Sequence, residues 1–245
     1  EGADVVIHLA GEPIGNENWT NEKKLSIVDS RTKSTSLLAK TIAAMENPPK
    51  LLISASAIGF YGDRGEEELD EESETGRNFI SNVCYHWEKA TQSAEEKGMR
   101  VVHLRIGVAL TPAGGALERM ITPFALGMGM VLGSGKQYFS WVGIDDVLYA
   151  ITHIMETESL QGPVNLTAPN PVTMREFSEG IADVMNRPCM FRVPEWLIRL
   201  MYGQMGEEVL IAGSRVLPKK LLESGFRFRY PLLDDALRHL LGRKK

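Results

Sequence analysis

The feature that most constrains this fold is an alternation of short apolar runs with long helical patterns in the first 110 residues. Three runs have the length and apolar character of strands buried on both faces, at residues 3–10, 50–56 and 100–108. Helical patterns separate them, over residues 20–45 and 78–97. This alternation predicts parallel βαβ units and a doubly wound α/β fold.

The first apolar run starts almost at once, in Asp4-Val-Val-Ile-His-Leu-Ala10-Gly11. A parallel strand that is buried on both faces needs neighbouring strands, so the sequence opens inside a sheet. We therefore expect the parallel sheet to be N-terminally incomplete, with part of the protein preceding residue 1.

The pattern changes beyond residue 110. Residues 112–136 are rich in Gly and Met and predict a loop or a short helix lining a cleft. Two helices are expected, one from Asp145 or Asp146 and one from Thr173. A short strand is expected between them at residues 163–167.

Prolines punctuate the last part of the sequence. Pro194, Pro218 and Pro231 each precede an apolar-periodic run, and proline suits the first turn of a helix. We expect a large α/β domain over residues 1–167 and a small, mostly helical lobe on the substrate side over residues 168–245.

Composition excludes several classes of function. The net charge is −5, and no basic stripe indicates a nucleic-acid partner. The densest charged run, residues 66–74, is acidic and is interpreted as a solvated loop. The longest apolar runs have the length of strands and predict no membrane span. Cys84 and Cys189 form no metal-ligand spacing with the five histidines. We expect a small-molecule substrate, no metal and a cytoplasmic location, and the sequence is compatible with a homodimer.

Small residues close each of the three apolar runs. Ligands of open parallel sheets bind outside the carboxyl ends of the strands. The ends here are Leu9-Ala10-Gly11, Ser54-Ala55-Ser56 and Arg105-Ile106-Gly107-Val108. Tight loop packing explains any one of them as well, but the three together favour a crevice for a flat cofactor.

Arg31 interrupts the apolar stripe of the first helix. The stripe recurs at helical spacing through Leu25, Val28, Thr35, Leu38, Ile42 and Met45. A guanidinium facing the sheet needs an anionic or carbonyl partner. A cofactor phosphate or ribose and a structural ion pair both remain open.

The second helical pattern contains Tyr85 and Lys89, which lie four residues apart and so share one helical face. In such a pair the ammonium favours the phenolate and prepares it for proton transfer. The apolar stripe of Ile80, Cys84, Trp87 and Thr91 points elsewhere, so a solvated surface pair is the alternative. Tyr61, which follows the second strand, either reaches a substrate or belongs to a structural turn.

Several motifs together carry a family resemblance: His8-Leu-Ala-Gly-Glu12, Ile53-Ser-Ala-Ser-Ala-Ile-Gly-Phe-Tyr-Gly62, Leu104-Arg-Ile-Gly-Val108 and Trp141-Val-Gly-Ile-Asp-Asp146. With them the chain resembles the epimerase-family proteins among the atypical short-chain dehydrogenases/reductases, which are related to the extended NAD-dependent epimerases. The resemblance covers essentially the whole chain, including a small C-terminal domain of unknown function. It implies a Rossmann-like fold that binds NADP or NAD, with NADP slightly favoured.

The resemblance also implies roles for individual residues. Ser56, which resembles the serine of the extended enzymes, would be catalytic, and Tyr85 and Lys89 are its candidate partners by their spacing alone. The cofactor would be held by Leu9, Ala10, Gly11, Arg31, Ser54, Ala55, Arg105, Ile106, Gly107 and Val108.

Two departures from the family pattern bear on catalysis. The subgroup generally lacks the Tyr-x-x-x-Lys pair, and placing Glu88 at the lysine position puts Cys84 at the tyrosine position. Gly143 stands where histidine is expected. The resemblance thus implies an NAD(P)-dependent oxidoreductase or a nucleotide-sugar-epimerase-like protein. The alternative is a catalytically inactive dinucleotide-binding sensor or assembly protein.

Overall fold

The computed structural model describes residues 2–243. The strands are β1 (Val5–His8), β2 (Leu51–Ala57), β3 (Glu68–Leu69), β4 (Arg100–Ile106), β5 (Val108–Leu110), β6 (Gly129–Leu132), β7 (Tyr138–Phe139), β8 (Trp141–Gly143), β9 (Gly162–Leu166), β10 (Val172–Thr173), β11 (Cys189–Val193) and β12 (Arg215–Val216). The helices are α1 (Asn21–Ala43), α2 (Phe79–Lys89), α3 (Gln92–Glu96), α4 (Gly115–Ala125), α5 (Ile144–Glu156), α6 (Met174–Met185), α7 (Glu195–Met205), α8 (Lys219–Glu223) and α9 (Leu233–Leu240). A 3-10 turn spans Ile58–Tyr61, and a π-helical segment spans Gly206–Ile211.

The main sheet is parallel, with strand order β1-β2-β4-β9. Side chains of β2 alternate between its two faces. Leu51 and Ile53 pack on one face in a core that includes residues of α5 and α8, and Leu52 packs on the other with residues of α1 and α3. Helices therefore cover both faces, which confirms the Rossmann-like α/β fold.

Strand β1 lies at one edge of this sheet. Within residues 2–243 it pairs only with β2, and Ile7 on it is 43% exposed. The expectation that the sheet continues before residue 1 stays a prediction.

A second core lies beside the main sheet. It joins α4, β8, α6 and α9 through buried Phe124, Trp141, Phe177 and Leu237. These residues come from both sides of the predicted boundary at residue 167, so the two predicted units share packing. The boundary itself stays a prediction. No helix within residues 2–243 is long and apolar enough to cross a bilayer.

The single helix expected over residues 78–97 is two helices, α2 and α3. The Thr91 hydroxyl lies between them and donates to the Glu88 carbonyl at 2.7 Å. It also lies 2.8 Å from Nε2 of His103, a buried residue of β4. Hydroxyl bonding of this kind competes with the regular helix backbone, and here it fixes the break.

The third predicted strand, residues 100–108, also divides. β4 ends at Ile106, and β5 leaves the main sheet to pair with β8. The chain switches at Gly107, whose N–H donates to Leu166 O while the next N–H, of Val108, donates to Ser140 O.

The buried face of α1 differs from the expected stripe. Ile27, Thr35, Ala39 and Ile42 are buried, whereas Leu25 is 63% exposed. The α2 stripe of Ile80, Cys84, Trp87 and Thr91 is buried throughout, as predicted.

Candidate functional site

A cavity of about 320 Å³ opens at the carboxyl ends of β2 and β4. It lies between the main sheet and the π-helical segment. Most of its walls are apolar or glycine: Ile14, Ala57, Ile58, Gly59, Gly62, Ile80, Ile106, Gly107, Val108, Phe139, Val209, Ala212 and Gly213. Its polar residues are Asn78, Tyr138, Ser140, Glu208 and Ser214.

A row of polar residues crosses the main sheet next to this cavity. Strand register pairs Ser56 of β2 with Arg105 of β4, and Arg105 with Asn165 of β9. Residues paired across parallel strands point to the same face, so the three side chains form one row. All three are buried.

Hydrogen bonds connect this row to α2 and to the turn after β2. The Ser56 hydroxyl donates to Glu88 Oε1 at 2.7 Å, and Arg105 donates to both Glu88 oxygens at 2.8 and 2.9 Å. Arg105 also donates to the Tyr61 hydroxyl, which donates to Asn165 Oδ1 at 2.6 Å. We call these five residues the Ser56–Asn165 cluster.

The environment sets the charge state of groups in and beside the cluster. Burial works against the charge of Arg105, but the bonds and charge of Glu88 outweigh it and raise the pKa of the guanidinium. Burial raises the pKa of Tyr61 to about 12 and that of Cys84 to about 12. The phenol and the thiol therefore both keep their protons at neutral pH.

The predicted pair Tyr85 and Lys89 lies on the opposite, solvent-facing side of α2. Tyr85 is 41% exposed, and the Lys89 ammonium lies 5.9 Å from the centre of its ring. The residue of this turn that reaches Ser56 is Glu88. The structure does not bring Tyr85 and Lys89 to Ser56, and their catalytic role stays a prediction.

Arg31 is half-buried beside the end of β1. Its guanidinium lies 4.9 Å from the centre of the Trp87 ring and donates to the Ile27 carbonyl at 3.2 Å. A Cβ on Gly11 would lie 3.2 Å from Arg31 Cζ. Burial lowers the pKa of Arg31, and no carboxylate oxygen of residues 2–243 lies within 4 Å of it. The ion-pair interpretation of Arg31 therefore finds no carboxylate within 4 Å in the described part of the chain, and Glu12 acts on the guanidinium only at longer range.

The other strand-end residues fall into four groups. Leu9, Ala10 and Gly11 are exposed, while Ser54 and Ala55 are buried in the sheet. Ile106, Gly107 and Val108 line the cavity, and the Arg105 side chain belongs to the Ser56–Asn165 cluster.

Gly107 has a packing reason of its own. A Cβ there would lie 2.8 Å from both Ser140 O and Thr167 Cγ2. This glycine is required by the crossing of the chain from β4 to β5, whatever binds in the cavity.

Two carboxylates at this end of the molecule were not singled out from the sequence. Glu208 of the π-helical segment accepts hydrogen bonds from the first N–H groups of α2, those of Phe79 and Ile80, at 3.3 and 2.9 Å. Nearly 130 residues separate it from these donors, so no local pattern marks it.

Glu71 is the second carboxylate, and the interpretation of residues 66–74 as a solvated loop is wrong for it. It is 5% exposed, and its Oε1 accepts from the N–H groups of Asn165 and Lys220. Among residues 2–243 its Oε2 has no hydrogen-bond partner, and burial raises the pKa of the Glu71 carboxyl group. The neighbouring residues Glu68–Leu69 form β3, which pairs with β12.

The family can be identified from sequence comparison. Residues 1–166 match the model of the NAD dependent epimerase/dehydratase family, and residues 193–240 match that of a domain of unknown function, DUF1731. The chain belongs to the NAD dependent epimerase/dehydratase family. The resemblance noted from the sequence motifs is confirmed.

Relatives of this family align along nearly all of the chain. The epimerase family protein YfhF of Bacillus subtilis is 40% identical, over 99% of this chain and 79% of its own length. The crystal structure of human epimerase family protein SDR39U1 (isoform 2) with NADPH superposes with a TM-score of 0.93 at 31% identity, covering 100% of this chain and 83% of that one.

A second solved structure in the family carries a more specific name. The nucleoside-diphosphate sugar epimerase of Corynebacterium glutamicum has a TM-score of 0.81 at 35% identity, covering 99% of this chain and 47% of that one. The chain thus has the Rossmann-like, NAD(P)-binding fold of the epimerase family.

Proposed function

We propose that this protein is an NAD(P)-dependent oxidoreductase or epimerase-like enzyme whose small substrate binds in the cavity at the ends of β2 and β4. The observation that carries the proposal is Arg31, a half-buried guanidinium without a carboxylate partner in the described chain, beside the exposed backbone of Leu9–Gly11. A guanidinium that no carboxylate approaches within 4 Å, and on which Glu12 acts only at longer range, can bind a dinucleotide phosphate or ribose at this open strand end.

The residues present therefore fit the cofactor. Leu9, Ala10, Gly11 and Arg31 would hold it at the end of β1, and the segment 106–108 would contact it at the cavity. When bound, the dinucleotide supplies or accepts a hydride. The NADPH in the human relative's structure supports NADP over NAD.

Calorimetry on the natural full-length protein tests this proposal. Titration with NADPH and NADH should show binding, with NADPH the tighter ligand. Arg31→Ala should raise the Kd of NADPH about tenfold, because a charge-assisted hydrogen bond is lost. Lys33→Ala, on the same helix but exposed and paired with Asp29, is the matched control and should leave Kd unchanged. No binding of either dinucleotide would end the proposal.

A second candidate, an inactive dinucleotide-binding sensor or assembly protein, is favoured by one observation. The face of α2 toward Ser56 carries Cys84, whose pKa burial raises to about 12, and Glu88, in place of tyrosine and lysine. NADPH oxidation measured over a panel of carbonyl substrates separates the candidates. Turnover that disappears in Ser56→Ala excludes the sensor. Tyr85→Phe shows whether the exposed tyrosine takes part.

The composition supports further proposals about partners. A small molecule is the expected substrate, and the acidic net charge argues against nucleic acid. The homodimer and the cytoplasmic location stay predictions.

A further inference from the structure

The walls of the cavity point to a chemical class of substrate. We infer that it takes an uncharged, largely apolar carbonyl compound or the matching alcohol, rather than a nucleoside diphosphate sugar. The inference rests on the proposed function, since it names the substrate class of the same cavity.

The first argument is the charge of the walls. Among residues 2–243, no lysine or arginine lines the cavity, and its one ionisable carboxyl group is that of Glu208. A diphosphate carries at least two negative charges, and proteins bind such groups with arginine, lysine or free backbone N–H groups. The cavity offers neither cation.

The second argument is the helix that begins at the cavity. The N-terminus of an 11-residue helix such as α2 is a place where a phosphate could bind. The first N–H groups of α2 already donate hydrogen bonds to side chains of the protein. Glu208 takes those of Phe79 and Ile80, and Asn78 Oδ1 takes that of Ser81 at 2.8 Å. An anionic ligand would have to displace a carboxylate of the chain itself.

The third argument is that the Ser140 hydroxyl in the cavity wall is committed to the fold. The Ser140 hydroxyl donates to Ser214 O at 2.7 Å and accepts from Val216 N at 2.9 Å. Arg215 lies beyond Tyr138, with its guanidinium 5.2 Å from the ring centre, and pairs with Glu68. A ligand in the cavity would therefore contact mainly the apolar side chains and glycines of its walls.

The volume of the cavity favours the same class of substrate. A volume of about 320 Å³ lies at the small end of ligand pockets, and under the proposed function the reacting ring of the dinucleotide would take up part of it. A compact apolar carbonyl compound fits this space and these walls.

Binding measurements with three probes test the inference. Benzaldehyde, 4-carboxybenzaldehyde and UDP-glucose are titrated into the NADPH-saturated full-length protein and followed by ligand-observed NMR. Benzaldehyde should bind with a Kd at least about tenfold below that of 4-carboxybenzaldehyde, and UDP-glucose should not displace it. A lower Kd for either anionic probe, or no binding of benzaldehyde, overturns the inference.

A charge placed in the cavity should reverse the preference. Val209→Lys adds a cation to the wall, and the Kd of 4-carboxybenzaldehyde should fall about tenfold. Leu200→Lys, at a site 76% exposed on α7 and outside the cavity, is the control and should change nothing. An equal effect of both variants overturns the inference, and the wild-type ratios decide it if Val209→Lys does not fold.

The measurements distinguish a failure of the proposed function from a failure of the proposed substrate class. NADPH binding is measured by calorimetry on the same samples, and the probe titrations are repeated without NADPH. Preference for benzaldehyde without NADPH binding defeats the proposed function alone. NADPH binding with a preference for UDP-glucose defeats only the substrate class.

Discussion

Arg105 is the residue on which the Ser56–Asn165 cluster depends. Its guanidinium bonds both oxygens of Glu88 and the Tyr61 hydroxyl, and it lies 3.5 Å from the centre of the Phe60 ring. A buried cation held in this way is stable only while its partners remain.

Glu88→Leu should therefore lower the free energy of unfolding by about 3–5 kcal/mol, because it leaves a buried guanidinium without its carboxylate. Urea denaturation measures the loss. The double variant Glu88→Leu/Arg105→Met removes both charges and should recover much of it. A double variant as unstable as the sum of the two single variants would contradict this account.

The buried carboxyl group of Glu71 makes stability depend on pH. Its pKa in the folded state is raised by burial above the ordinary value of 4.5. The stability that this shift contributes is complete below the unfolded-state pKa and is lost as the pH rises through the folded-state pKa.

Glu71→Gln keeps an acceptor for the N–H groups of Asn165 and Lys220 but does not titrate. From pH 4 to pH 8, the free energy of unfolding of the wild type should fall relative to this variant. Urea titrations at the two pH values measure the difference. Glu72→Gln, at an exposed neighbouring position, should show no such drift. An equal drift for both variants would rule out Glu71 as the source.

Among the structural elements, the switch from β4 to β5 is the most constrained. Gly107→Ala would bring a Cβ within 2.8 Å of Ser140 O and Thr167 Cγ2, so it should cost about 1–3 kcal/mol. Gly143→Ala is the control, because no atom lies within 4 Å of a Cβ there and its φ of −71° suits alanine. Thermal unfolding compares the two, and equal melting temperatures would refute the prediction.

The starts of some helices can be predicted from the sequence because their capping side chains lie next to them in the chain. Thr20 caps α1 and Thr173 caps α6, as the positions of these two threonines predict, and Thr173 also forms a capping box with Glu176. The break at Thr91 could not be predicted, because the hydroxyl is fixed in part by His103 on a different element.

The whole molecule is held together partly by a carboxylate at the start of α5. Asp146 is buried and accepts hydrogen bonds from the N–H groups of Arg229 and Tyr230 at 2.7 and 3.1 Å. These bonds fix the segment that leads into α9.

Asp146→Ala should lower the free energy of unfolding by about 2–3 kcal/mol, because two buried N–H groups lose a charged acceptor. Cleavage near residues 229–230 should also become faster in limited proteolysis. Asp145→Ala removes only a half-exposed pairing with His239 and should stay within about 0.5 kcal/mol of wild type. Equal effects of the two variants would contradict the assignment.

The fold could be predicted from the sequence because strand and helix periodicities are local. The site could be predicted only in part. Ser56 and the strand ends lie in motifs that can be recognised in the sequence. Glu88, and not Lys89, contacts Ser56 because it lies on the face of α2 that packs on the sheet. Glu208 and Asn165 reach the site through tertiary contacts that no sequence spacing encodes.

The pairing of β3 with β12 has a consequence for how the protein acquires its site. Glu68–Leu69 lie beside Arg215–Val216, and Asn165 also donates to Leu217 O. The β3–β12 pairing closes a loop of roughly 150 residues, and pairings so distant along the chain form late and slowly. During synthesis the main sheet has all of its described strands by residue 166, well before residues 215–217 emerge. The wall of the cavity that residues 208–214 supply should thus be among the last parts of the molecule to become ordered.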